Sequence, residues 1–520
     1  MGSAVSTAEE GAVSQFSTYL KLLLDECGEP VARVARGAGV ERTSIHKALK
    51  DERTLPYTAV RSLARYLQLD LVQTRELNRC YEMLLYGDDA YGEQRVILDL
   101  LLNLSRLESM AGRGATPSAA ARAAGSAATA SGAAGPGARP QEPAPLPASG
   151  VVSGAPAVHE ALRAMLRAET AQPGTVLYLY APLDDTLVDE VMALWGDERR
   201  DFTLHQLVAF VPDRQGSEAR RRNLGLLKWL LPLSLASRGR YFAHGFFEGE
   251  PGSVGVDPLP FFLATPRAVL RLDQRGTLAH VVADEALARV YRDRVEATAA
   301  LCPPLNSYTS EPAAVLDSYM DGTGTDGYFT IMSQPCPGRY YTRELVERYL
   351  VPDAPHRAEL VELCDRRFGR LRELSGPYCT IFTEEGLRAL AHTGVLADLP
   401  ADMVPPIDVD TRLAFLSALR ADIAADVVTG CMADPGELSI PPYLTFTADA
   451  AYGLHVYATQ WFEGGAYVCN VHIAEPGIGR AFRDFIQLLP MSRCVYAKER
   501  TLAMFDELIA ELAAGGAASQ

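Results

Sequence analysis

Cysteine is scarce in this sequence. Nine of 520 residues are cysteine, none forms a CxxC pair, and they stand singly at Cys27, Cys80, Cys302, Cys336, Cys364, Cys379, Cys431, Cys469 and Cys494. That spacing argues against a disulfide framework and a structural zinc site, and fits reduced, mostly buried thiols in a cytoplasm. Long apolar runs are missing too. The longest candidate, Leu224–Leu235, is shorter than the roughly 20 residues of a membrane span and carries Lys228. The opening MGSAVSTAEEG has acidic residues and no apolar stretch. No signal peptide is therefore expected, and the chain is read as cytoplasmic with no membrane partner. Basic charge is short as well: the net charge of −16 excludes a protein coated in nucleic acid. No fixed-period repeat is visible.

The chain is rich in apolar residues, 48% against 22% charged, which excludes wholesale disorder. Its length allows about three to five domains. One boundary is plain. Residues 111–150 are nearly all Ala, Gly, Pro and Ser, without an aromatic residue. Such a stretch buries too little apolar surface to offset its ordering entropy, so it is expected to be a disordered linker. Before it the apolar spacing is helical throughout: Phe16, Leu20 and Leu23; Val31, Val34 and Ala35; Ile45 and Leu49; Val60, Leu63 and Leu67; Leu77, Tyr81 and Leu84; Val96, Leu100, Leu101, Leu104 and Leu107. The last of these sets, over 91–109, offers a stripe for a homodimer.

After the linker strands and helices mix. Residues 176–182 and 204–212 read as strands, each followed by a helix, and 268–283 reads as a hairpin about Gln274-Arg275-Gly276. Cys302-Pro303-Pro304 ends a helix and marks a second boundary. The expectation is a multidomain chain: an all-α helix-turn-helix domain over 1–110, the disordered linker over 111–150, then a mixed α/β (α+β) body with an α/β domain at 151–304 and an α+β sensor domain at 305–515.

Charge is uneven. From Pro30 to Tyr66 eight basic side chains face three acidic ones, a local +5 that leaves −21 for the rest of the −16 chain. Within this stretch several residues have separate physical jobs in register. Ala35 suits a close helix approach. Gly39 suits a turn with positive φ. Val40 and Ile45 plug the angle between two helices, and Thr43 or Glu41 can cap the second. The run ERTLP leads into VRSLARYLQL. Residues 14–70 thereby resemble a Cro/C1-type (Xre-like) helix-turn-helix module. One departure is that Pro30 and Val31 stand where the family often has a phosphate-holding Gln.

The resemblance implies that the second helix lies in a DNA major groove. Arg42, Thr43, His46 and Lys47 would then face base edges, while Ser44, Lys50 and Arg53 would face phosphates. It implies double-stranded DNA and a second copy of the chain as partners. The sequence-level expectation is a sequence-specific, one-component transcriptional regulator whose C-terminal region senses an unknown small-molecule or protein effector. The alternatives are an enzyme or defence-type effector with an appended DNA-binding module, and a protein-interaction scaffold.

No enzyme motif stands out in the large C-terminal part, so no catalytic residue and no cofactor is assigned. Gly322 to Gly327 matches GxGxxG without the strand and helix such a loop requires. The opening at 176–195 is similar to phospholipase-D-like domains at the level of fold only, and the HxK…D chemistry of those domains is missing, because His280 precedes Val281 and Val282. His455 and His472 fall on adjacent predicted strands and are read as a packed pair, with no metal site. Arg339, Arg343 and Arg480 are candidates for an anionic effector.

Overall fold

The computed structural model describes residues 13–111, 145–181, 184–197, 200–211, 216–247, 257–321, 327–397, 399, 403–459 and 468–518. Most of the expected linker, 112–144, lies outside the described residues.

The chain begins with an all-helical unit: α1 (Gln15–Cys27), α2 (Val31–Ala38), α3 (Arg42–Ala48), α4 (Tyr57–Tyr66) and the first part of α5 (Leu71–Ala111). Ser14 caps α1 by accepting from the Ser17 amide at 3.1 Å, and Gly28 ends it at φ 68°. Gly39, at φ 66°, turns the chain from α2 into α3. Phe16, Leu20, Val34, Ile45, Leu63 and Tyr81 share one small core. Asp51 pins the turn after α3 to α1, accepting from the Ser14 amide and hydroxyl at 2.6 Å each and from the Ser17 hydroxyl.

The predicted helices over 77–84 and 91–109 both fall within α5, separated by a break at Gly87 (φ 80°, ψ 159°). Here the structure corrects two expectations. Ile97, Leu100, Leu101 and Leu104 are buried in the main core of the C-terminal body, so this part of the stripe is internal to the chain. The helical unit also ends at Gly87 rather than near 110, since the second half of α5 packs on helices of the body.

That body is a duplicated topology. The first unit runs β1 (Gly150–Ser153), α6 (Ala155–Glu169), β2 (Thr175–Tyr180), α7 (Asp185–Gly196), β3 (Phe202–Phe210), α8 (Ser217–Ser237), β4 (Tyr241–Phe247), β5 (Phe261–Ala264), β6 (Val269–Leu272), β7 (Leu278–Val282) and α9 (Glu285–Ala299). Its sheet has the order β1-β7-β6-β5-β2-β3-β4. Strands β2, β3 and β4 are parallel, and the other pairs are antiparallel.

The second unit runs β8 (Asn306–Thr309), α10 (Pro312–Asp321), β9 (Tyr328–Ile331), α11 (Arg343–Tyr349), α12 (Arg357–Glu373), β10 (Tyr378–Phe382), α13 (Glu384–Thr393), α14 (Val409–Ala424), β11 (Thr429–Met432), β12 (Leu444–Asp449), β13 (Gly453–Thr459), β14 (Val468–Ile473), α15 (Pro476–Leu488) and α16 (Lys498–Ala518). Its order, β11-β10-β9-β12-β13-β14-β8, matches the first strand for strand, with β9, β10 and β11 parallel. The repeat leaves no fixed period in the sequence because helix pairs α11–α12 and α13–α14 stand where the first unit has only α7 and α8.

The two units join between α9 and β8. They are not separate globules, however, because Leu177 and Leu204 of one sheet and Phe446 and Val456 of the other belong to one core. The sheets meet edge to edge. Leu305 N–H donates to the Ala243 carbonyl at 2.8 Å. The buried Asn306 side chain accepts from the Ala243 amide at 2.7 Å and donates to the Ser234 hydroxyl at 2.9 Å. A side-chain amide thus stands in for ladder bonds that β4 would otherwise lack.

Candidate functional sites

The sequence-predicted residues lie on and after α3. Ile45 and Ala48 face the small core, while Arg42, Thr43, His46 and Lys47 are exposed along the opposite side. Arg42 Nε donates to His46 Nε2 at 3.3 Å. Lys50 and Arg53 are exposed in the turn that follows. Ser44 differs from its companions: it is half-buried and its hydroxyl donates to the Glu41 carboxylate at 3.1 Å. Bonds from Thr43 and Ser44 hold that carboxyl below its ordinary range. Glu41 is the residue that opens α3, without a side-chain cap bond to the backbone.

A second site was not legible in the sequence. Between α8 and the carboxyl ends of β2 and β3 lies a cavity of about 330 Å³. It is lined by the aromatic side chains of Tyr180, Trp229 and Phe261 and by Gln206, Val208 and Arg222, among others. Carboxyl ends of parallel strands beside a change of strand direction are where open α/β sheets bind ligands. Here parallel β2 neighbours antiparallel β5.

The local sequence explains the cavity. Arg222, Gly225, Leu226 and Trp229 recur at helical spacing on one face of α8. A Cβ at Gly225 would meet nothing within 4 Å, so this glycine leaves the space open. Buried Asn223 fixes α8 to the end of β3, accepting from the Val211 amide at 3.0 Å and donating to its carbonyl at 2.9 Å. Trp229 is oriented by its indole N–H, which donates to Asp185 at 3.0 Å. Bonds from Lys228 and Trp229 hold the Asp185 carboxyl below its ordinary range. Gln206 is fixed by the Tyr241 hydroxyl, which donates to it at 2.5 Å.

His455 and His472 are register partners with rings stacked 4.1 Å apart. Burial, helped by His472, pushes His455 down to about 3, so it is a neutral core side chain. Among the described residues no group of three His, Cys, Asp or Glu side chains is gathered in a way that could hold a metal ion. The described helices include none long and apolar enough to cross a membrane. Two of the arginines read as anion receptors are otherwise engaged: Arg343 meets Glu347, Glu362 and Asp365, and Arg339 sits 4.0 Å from Asp422 and over the Tyr378 ring. Residues 322–326 of the GxGxxG match lie outside the described residues.

No family model matches the chain, and no curated protein matches it. Among solved structures it is similar to phosphatidylserine synthase of Haemophilus influenzae Rd KW20, at 8% identity, over 67% of this chain and 86% of that one, with a TM-score of 0.21. At that score the likeness carries no argument about what this chain does. The expectation of a sequence-specific, one-component transcriptional regulator finds no support in these comparisons and is withdrawn. Helix α5, with its break at Gly87, runs from the helical unit into the core of the body.

Proposed function

We propose that the body of this chain is a binding protein for a small planar aromatic molecule, seated in the cavity between α8 and the ends of β2 and β3. The observation that carries this is the open space above Gly225, walled by three aromatic side chains. Its volume of about 330 Å³ falls within the range of small-molecule sites. Aromatic faces favour a planar partner, and the fixed Gln206 amide supplies a polar group to orient it. Indole is the probe. Calorimetric titration of the full chain is expected to show saturable binding that Gly225→Leu abolishes. Equal affinity in the two proteins would refute the site.

A second reading concerns α3. The exposed Arg42, Lys47, Lys50 and Arg53, together with the Cro/C1-type resemblance, support contact with the phosphate backbone of duplex DNA. It extends neither to an operator nor to control of transcription. A 20-base-pair duplex of mixed sequence, titrated at several salt concentrations, tests it. Arg42→Ala with Lys47→Ala is expected to weaken binding and flatten its salt dependence. An unchanged salt slope would refute the contact.

A further inference from the structure

The helical unit and the body leave a cleft between them, with a volume of about 530 Å³. One wall is the segment from Arg53 to Thr58, between α3 and α4, together with Tyr81 and Leu85 of α5. The other is drawn from residues 490–497, between α15 and α16. Both walls are held in place. The Tyr81 hydroxyl donates to the Leu55 carbonyl at 2.7 Å. The Tyr496 amide donates to the Met432 carbonyl at 2.8 Å, and the Asp434 amide to the Cys494 carbonyl at 2.9 Å, which ties the second wall to the end of β11. Small-molecule sites are largely preformed in this way and favour the junctions between domains. No residue lines both this cleft and the cavity beside α8.

The lining mixes rings, hydroxyls and a cation. Tyr57, Tyr81 and Tyr496 supply the rings, and Thr54 and Thr58 supply hydroxyls. Arg53 is exposed and makes no ion pair among the described residues, and no carboxylate lines the cleft. In a chain of net charge −16, a wall with a cation and no carboxylate selects for an anion. Arg500 lies 3.6 Å from the centre of the Tyr496 ring and 3.8 Å from Glu384, so it steadies the ring and leaves Arg53 to meet the guest. The rings favour a guest with a planar part. A cavity of roughly 150 Å³ takes one benzene ring, and on that scale this cleft takes on the order of twenty heavy atoms.

We infer that the junction cleft is a separate site for an aromatic anion of about nucleotide size, with Arg53 meeting its charge. Adenosine monophosphate is the probe and adenosine its uncharged control. Calorimetric titration of the full chain is expected to show saturable binding of the monophosphate, with adenosine about tenfold weaker. Arg53→Ala is expected to bring the monophosphate down to the level of adenosine. Ala497→Trp, at an exposed position on the opposite wall, fills the cleft and is expected to abolish binding of both. Gly225→Leu, which fills the other cavity, and Arg42→Ala with Lys47→Ala, which strips the α3 surface, are expected to leave the affinity unchanged. Should Ala497→Trp not fold, Met491 of the same wall reports instead, assigned in methyl-labelled spectra through Met491→Leu. A Met491 resonance that moves on adding the monophosphate supports the site, and one that stays put overturns it. Affinity unchanged in Arg53→Ala or in folded Ala497→Trp overturns it, as does the absence of saturable binding. Loss in Gly225→Leu would put the probe in the other cavity, and loss in the Arg42 and Lys47 variant would put it on α3; either result overturns the site too.

Discussion

Arg493 joins the helical unit to the body, and replacing it tests how tightly the two are held. It lies between α15 and α16, and its guanidinium meets Glu82 of α5 at 2.8 Å and Glu437 at 2.9 Å. The Arg493 and Glu82 side chains are only 16% and 10% exposed, whereas Glu437 is 34% exposed. Arg493→Met keeps most of the apolar stem and strands both carboxylates. Removing one partner of a buried pair typically costs about 3 kcal/mol. The Glu437 arm, being partly solvated, adds about 0.5 kcal/mol. Glu82→Gln alone is expected to cost far less, because burial already pushes the Glu82 carboxyl up more strongly than Arg493 pulls it down. The assay is a double-mutant cycle by urea denaturation, with Arg493→Met and Glu82→Gln singly and together. The double variant is expected to recover much of the loss, since the stranded charge is then gone. A loss below ~1 kcal/mol for Arg493→Met, or strict additivity, would show that the clamp does not hold the two parts together.

The same carboxyl gives a pH prediction. Its folded pKa is raised, so its contribution is fully present below the ordinary value of about 4.5 and is lost as pH rises through the raised value. The stability of wild type relative to Glu82→Gln should therefore fall from acid toward neutral pH, and urea midpoints that diverge the other way would refute the sign. A fragment ending at residue 86 should be a monomeric helical unit by size exclusion and circular dichroism. One ending at 110 should self-associate, because it bares Ile97, Leu100, Leu101 and Leu104; equal elution behaviour would contradict the boundary at Gly87. Asn223→Leu removes two buried hydrogen bonds and leaves the Val211 amide and carbonyl unsatisfied, so it should cost about 2–3 kcal/mol in urea denaturation.

Local patterning was readable in the sequence where one element decided it. Helical spacing and the turn glycine located α2 and α3, and the hairpin of β6 and β7 followed from two alternating runs about Gly276. What escaped was everything that depends on a distant partner. The stripe of α5 looks the same whether it meets a second copy or α8 and α15, and only the fold distinguishes them. Short strands such as β5 and β11, four residues each, carry too little alternation to stand out. The duplication was hidden because inserted helices changed the spacing between equivalent strands. The residues of α3 could be singled out as a candidate because they are contiguous. The aromatic cavity draws on β2, β3, β5 and α8, and its one local signal was Arg222, Gly225 and Trp229 on a single helix face. Spacing does not reveal that Ser44 donates its hydroxyl to Glu41.

The position of α5 in the chain bears on how the molecule is made. Its second half is synthesised before either of the helices it packs on. Helix α8 follows ~120 residues later and α15 roughly 370 residues later, which at about 5–20 residues per second is on the order of tens of seconds for the latter. Through that interval Ile97, Leu100, Leu101 and Leu104 have part of their final surroundings at most. The nascent chain therefore carries an amphipathic helix awaiting its partners, and the body closes around it only as the last strands and α15 leave the ribosome.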